Sequence, residues 1–238
     1  MKLKKEQLCG MNLHYQHYTV DFFLDSIVKN GFDKFELWAA SPHFFVPDGT
    51  PARITGLKKK IRDRGLAMVC FTPETVVYPY NIAEPDRQIR ERSVDYMIRA
   101  VECAVELGSS KMLLTPGWGN LDESRDEAMK WSLDSIGRIL KRAAELGLTL
   151  ALEHLSPISS NLVNTSTQLR WALDQFHSPY LKGMIDTCQV CLSHEHVRDY
   201  FDKLGKDLVH IHIVDGTPGG HLAFGDGNIP LKEFVETI

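Results

Sequence analysis

The stretch "QLCGMNLHYQHYTVDFF" (residues 7–23) decides between two architectures. Its first seven residues read as a strand, and the amphipathic pattern from about residue 19 reads as a helix. An open nucleotide-binding sheet places a glycine-rich phosphate turn between its first strand and first helix. Residues 14–23 contain no glycine, so that reading has nothing to stand on.

The same alternation continues along the chain. Apolar runs that read as strands are "KFELW" (34–38), "AMVCFT" (67–72), "KMLLT" (111–115), "LTLALE" (148–153), "LKGMID" (181–186) and "LVHIHIV" (208–214). Amphipathic stretches near 19–30, 53–64, 87–107, 124–146, 166–177 and 194–204 separate them, and Gly31, Gly65, Gly108 and Gly147 close four of these as helix C-caps. No linker or low-complexity segment interrupts the pattern, which predicts a single parallel α/β domain over residues 1–238. Strand ends carry Glu, Asp, His or Trp, the way a (β/α)8 TIM barrel assembles its site at the C-terminal rim. Only seven strands are found, and "NIPLKEFVETI" (228–238) reads as a helix start. The expected fold is therefore a TIM barrel lacking its last strand and helix in this chain, roughly 30–40 residues by the usual barrel length.

Composition narrows the function classes. A hydrophobic content of 43% and a charged content of 24% are those of a globular protein, and a net charge of −4 offers no basic surface for nucleic acid. No apolar run reaches membrane-spanning length, and the N-terminus lacks a signal-peptide core. Five scattered cysteines suit reduced thiols in a cytoplasmic protein. Cys188-x-x-Cys191 has half-site spacing but no second pair, and reads as buried or half-buried thiols.

Alternation along the strands locates a candidate metal site. In "LTLALE" the leucines form one face, which leaves Glu153 pointing inward at the strand end. In "LKGMID" the same register turns Ile185 outward and Asp186 inward. In "VHIHIVD" Val209, Ile211 and Ile213 face the helices, and His210 and His212 face the interior, His212 level with the two carboxylates and His210 a layer deeper. Neighbouring strands run about 4.8 Å apart, so Glu153, Asp186 and His212 can converge on one ion. Two carboxylates and an imidazole suit Mn2+, Co2+ or Mg2+ better than a thiolate zinc site. Asp215, just past the strand, is a candidate partner behind the ligands.

Loops at the same rim supply substrate-binding candidates: His43 in "SPHF", Glu74 and Tyr78 in "TPETVVYPYN", and Trp118 in "TPGWGN". His154 and Asn161 follow Glu153, Gln189 follows Asp186, and His221 stands in the glycine-rich "GTPGGHLAFGDGNIPL", which lacks P-loop spacing.

With Glu153, Asp186 and His212 in place, the chain resembles the xylose-isomerase-like barrels of sugar isomerases and epimerases. "FELWAASPHFFVPD" (35–48), "TPETVVYPYN" (72–81) and "YFDKLGKDLVHIHIVDG" (200–216) resemble the fructoselysine 3-epimerase family among them. The resemblance implies a divalent-metal-dependent ketose 3-epimerase acting on fructoselysine or psicoselysine. In such enzymes a metal polarises the substrate carbonyl, a carboxylate removes the C3 proton to give an enediolate, and a second carboxylate reprotonates the opposite face. Glu153 matches the first carboxylate; the family carries the second, also a metal ligand, on an eighth strand, which here falls beyond Ile238. Where epimerases of free ketoses carry a Glu and a His, this chain has Ser159 and Gln189, a departure that argues against a simple free-ketose substrate. The implied partners are a small sugar or sugar-amine substrate and a second copy of the chain. A sugar-phosphate epimerase, a hydroxypyruvate-type isomerase and an inosose-type dehydratase would share this site, but the first would want a basic rim. A repair endonuclease would need additional His ligands and a basic groove, and a non-catalytic barrel would bind no metal.

Overall fold

The computed structural model describes residues 3–238, and its backbone follows the predicted alternation. Seven parallel strands pair in sequence order: β1 (Gly10–Met11), β2 (Lys34–Ala39), β3 (Ala67–Pro73), β4 (Lys111–Leu114), β5 (Thr149–Glu153), β6 (Leu181–Asp186) and β7 (Leu208–His212). The helices are α1 (Val20–Lys29), α2 (Pro51–Asp63), α3 (Arg87–Leu107), α4 (Arg125–Glu145), α5 (Ser166–Asp174), α6 (Thr187–Leu192), α7 (Val197–Leu204) and α8 (Leu231–Thr237). This is the α/β TIM-barrel-like arrangement; among the described residues β1 and β7 form the two edges of the sheet.

Local chemistry sets the helix starts. Thr19, Thr50, Asp86, Ser124 and Thr165 each accept a backbone N–H of the first turn of α1 to α5, and Pro51 adds a preset φ to α2. Gly108 ends α3 at φ +89°, a conformation an L side chain resists.

The core divides into two layers. Phe35, Leu37, Leu150, Leu152 and Ile185 are fully buried on the helix-facing side of the sheet. Each such side chain contributes about 1.5–3 kcal/mol on leaving water. Inside the curve, Cys70, Leu113, Ala151 and Met184 form a small separate apolar plug. Polar inward residues of β2, β3 and β5 to β7 sit beyond that plug.

Three details differ from the sequence expectation. Most of 7–13 is not strand: 3-10 turns at Lys5–Gln7 and Leu13–Tyr15 leave β1 two residues long. Val209 packs on the inner plug rather than on the helices. The pairing jumps from Gly183↔Leu208 to Met184↔His210, an extra residue that restores inward direction for His210 and His212. A matching jump between Phe35↔Met68 and Glu36↔Cys70 places Val69 on the same plug. Finally, α6 follows β6 without a loop, because Asp186 itself caps it.

Candidate metal centre

Glu153, Asp186 and His212 are the last residues of three adjacent strands. One donor atom from each lies within 4.8 Å of the others. Asp186 is register partner to His212, so the carboxylate and the imidazole stand side by side across the sheet. Glu153 and Asp186 are buried.

The two oxygens of Asp186 have different work. Oδ1 accepts the backbone N–H groups of Cys188 (2.7 Å) and Gln189 (3.1 Å), fixing the start of α6. Oδ2 faces His221 Nε2 at 3.8 Å. Capping thus orients the carboxylate while leaving one oxygen toward the centre.

Negative charge is concentrated here. Burial, foremost, with the charges of Asp186, Glu36 and Glu74, raises the Glu153 pKa to about 8 against the opposing pull of His212. Burial likewise raises Asp186 above its ordinary value, although His212, His221 and the two capping amides oppose it. Burial disfavours the charged form of His212, but Glu36, Glu153 and Asp186 outweigh it and raise that pKa to about 10. A site in which carboxylates cling to protons for want of positive charge is one that a divalent cation would relieve. The donor set of two carboxylates and one imidazole fits a borderline-to-hard ion, and these three residues would hold it.

Behind the triad stands Glu36 of β2, 2% exposed. Its Oε2 meets His210 Nε2 at 2.7 Å and its Oε1 meets His212 Nε2 at 2.9 Å; the Thr72 hydroxyl donates to Oε1 as well. Burial alone would push this carboxyl up, but the charge and hydrogen bonds of His212 and His210 hold it well below the usual range. On the same inward face, Trp38 Nε1 donates to Glu74 Oε2 at 2.8 Å. The sequence carried a signal for both residues: in "KFELWA" Phe35 and Leu37 face the helices, so Lys34, Glu36 and Trp38 point inward.

The other rim candidates separate into groups. His221 stands beside the triad, on a loop whose turn is organised by Asp215. The Asp215 carboxylate accepts the N–H groups of Gly216 (2.8 Å), Gly225 (2.8 Å) and Gly227 (3.2 Å), so it serves the loop while Glu36 holds His212. Glu74 is near enough for its charge to act on Glu153, and its Oε1 accepts the Val77 N–H at 2.9 Å. Gln189 Oε1 takes the Ser156 N–H at 2.7 Å, bracing the β5 end against α6. Trp118 is half-buried, its backbone held by Asn81.

His43, Tyr78, His154 and Asn161 are engaged elsewhere. His43 bonds Asn12 Nδ2 (2.7 Å) and the Tyr18 carbonyl (2.8 Å) through its two ring nitrogens. The Tyr78 hydroxyl accepts the Ser41 N–H at 3.0 Å, and Asn161 Oδ1 accepts the Gly119 N–H at 2.8 Å. His154 is fully buried against Tyr200 of α7, with ring centroids 4.6 Å apart, because the residue after an inward strand end turns to the helix layer. Cys188 and Cys191 are free thiols, the former donating to the Gly220 carbonyl at 3.3 Å. Among the described residues no helix is long and apolar enough to cross a membrane.

Comparison with known proteins adds the family context. The family model described as "Xylose isomerase-like TIM barrel" matches residues 24–238. The chain is 34% identical to the fructoselysine 3-epimerases of Shigella flexneri and Escherichia coli O157:H7 over 243 aligned positions, 97% of this chain and 83% of each relative. Among solved structures, the 3-keto-D-glucoside 4-epimerase of E. coli superposes with a TM-score of 0.79 at 18% identity, covering 97% of this chain and 86% of that one. At that identity the likeness speaks for the fold.

Proposed function

The chain belongs to the xylose isomerase-like TIM barrel family, and from that premise we propose a divalent-metal-dependent ketose 3-epimerase acting on an amine-linked ketose of the fructoselysine kind. The observation that carries the reading is the convergence of Glu153, Asp186 and His212, two buried carboxylates and a half-buried imidazole at strand ends, with donor atoms within 4.8 Å of one another. Identity to curated epimerases over most of both chains supports the isomerase class.

When bound, a divalent ion such as Mn2+, Co2+ or Mg2+ supplies the Lewis acid that polarises the substrate carbonyl. Proton abstraction and substrate placement fall to this chain's own residues. Glu153 takes the proton from C3: it is buried at the strand end beside the centre, and a bound cation would offset the burial that otherwise keeps it protonated, leaving the ionised form a base requires. Removal of that proton leaves an enediolate; inversion follows when a different proton, of solvent origin, is delivered to the opposite face, the task the family resemblance gives to a second carboxylate. Asp186 holds its place through the α6 amides, so the centre is not remade in each turnover. His221 approaches from the 216–229 loop as a substrate contact over the centre. Trp38, pinned by Glu74, supplies a flat wall on the β2 side, and Glu74 adds a carboxylate with no lysine or arginine paired to it among the described residues. An anionic, aromatic mouth favours a substrate with a cationic nitrogen over a sugar phosphate.

The test is incorporation of solvent deuterium at C3. In D2O with Mn2+ or Co2+, fructoselysine should acquire one deuterium at C3 and equilibrate with its C3 epimer. Retention of all C3 protium under both ions would end the proposal. Exchange into free psicose but not into fructoselysine would keep the epimerase and remove the amine-linked substrate.

A further inference from the structure

Glu36 takes no part in the reaction described above, yet it is the most heavily engaged carboxylate near the centre. It stands on β2, and it reaches across the interior to β7, 174 and 176 residues further along the chain. Its oxygens are divided between two imidazoles and a hydroxyl, all as direct hydrogen bonds. Such a carboxylate cannot rotate without breaking at least one bond in a buried setting. His210 and His212 meet edge to face, 5.2 Å between centroids at 83°, so each ring limits the tilt of the other.

The chemistry follows from the atom that is used. His212 offers Nε2 to Glu36, and a ring whose Nε2–H is donated keeps its remaining lone pair on Nδ1. We propose that Glu36 is a positioning residue that holds His212 in the Nε2–H tautomer, so that Nδ1 is the nitrogen presented to an ion shared with Glu153 and Asp186. His210 is the brace that occupies the other carboxylate oxygen and keeps Glu36 from turning away. This inference rests on the metal-site reading of the preceding section.

Glu36, Cys70 and His210 also bring donor atoms within 4.8 Å of each other. A second ion between them is a weaker account. Glu36 and His210 already touch at 2.7 Å, and burial with the Glu36 charge pushes the Cys70 thiol well above its ordinary value, keeping it protonated.

Glu36→Gln tests the role in the full chain. Glutamine keeps the size but exchanges one acceptor for a donor, so it cannot receive N–H from both imidazoles. Mn2+ affinity, read as free Mn2+ by EPR, should fall about 10–100-fold, the usual cost of losing a partner behind a metal-bound histidine. His210→Gln retains Glu36 on His212 and should lose much less affinity. A second measurement needs no variant: in 15N-histidine-labelled wild-type protein loaded with diamagnetic Zn2+, long-range 1H–15N spectra should show His212 protonated at Nε2 and ligated through Nδ1. Ligation through Nε2, or a Glu36→Gln protein with a lowered melting temperature and unchanged Mn2+ affinity, would overturn the role of Glu36 alone. Wild-type protein that takes up neither ion would remove the metal site and this inference with it.

Discussion

Replacing Glu153 by glutamine should make the metal-free protein more stable, with a gain that grows as pH rises. In the folded chain Glu153 is 7% exposed. Burial, joined by Asp186, Glu36 and Glu74, raises its pKa from an ordinary 4.5 to about 8. In the unfolded chain the same carboxyl ionises near its ordinary value. Between those two values the unfolded state has released a proton that the folded state still holds, so stability falls as pH increases. The limiting slope is about 1.4 kcal/mol per pH unit. Because Glu153 shares its titration with Asp186 and His212, a working figure is about 2–3 kcal/mol lost between about pH 5 and about pH 8. Glutamine has the shape of the protonated acid and never ionises, so the variant escapes that loss. Urea denaturation of both proteins in EDTA, at the two ends of that range, measures it. Equal stability differences at both pH values, or a less stable variant at the upper one, would refute the account of the centre as a buried excess of negative charge. Added Mn2+ should largely close the gap at the upper pH, since only the wild type gains the roughly 2.7 kcal/mol expected at one hundred times Kd.

Other perturbations separate the jobs of neighbouring groups. Asp186→Asn keeps an oxygen to cap α6 but removes the anion, so calorimetric titration should show Mn2+ binding lost while the melting temperature changes little. Gly227→Ala puts a Cβ 2.0 Å from Asp215 Oδ1 and 2.5 Å from the Gly216 N and O, which forces the 215–229 loop open. Faster hydrogen exchange at the Gly225 amide, with global stability nearly unchanged, is the expected reading. Asp207 accepts Lys182 Nζ at 2.5 Å and Arg170 Nη1 at 2.9 Å, and these bonds, Lys182 first, hold its carboxyl below the ordinary range despite the opposing effect of partial burial. Its contribution is complete above the ordinary carboxylate range and disappears as pH falls through the lowered folded value. Asp207→Asn should cost about 1 kcal/mol at neutral pH, by chemical denaturation, and nothing in strong acid.

The amino-acid pattern by itself determined the barrel-like fold and the triad. Both depend on strand periodicity, and in β5 and β6 each residue's face is settled by its immediate neighbours. "LTLALE" places Glu153 inward whatever the rest of the molecule does, because the buried leucines can face only the helix layer. The end of β6 was equally legible, though its second task, capping α6, emerged only with the backbone that follows it. Other assignments depended on contacts far away in sequence. An aromatic or polar residue in a rim loop can serve a substrate or its own loop, and the loop claimed His43 and Asn161 through partners 25 to 42 positions distant. The irregular pairing of β7 was likewise invisible, since alternation has no term for the extra residue that turns Val209 onto the inner plug. Glu36 is the strongest instance. Its inward direction was readable in "KFELWA", but a buried carboxylate acquires a function only from the groups that neutralise it, and those stand on β7, at the other end of the sheet order. Local sequence dictated most of the inward directions; only the curvature of the sheet, which brings β2 within reach of β7, decided which of those side chains meet.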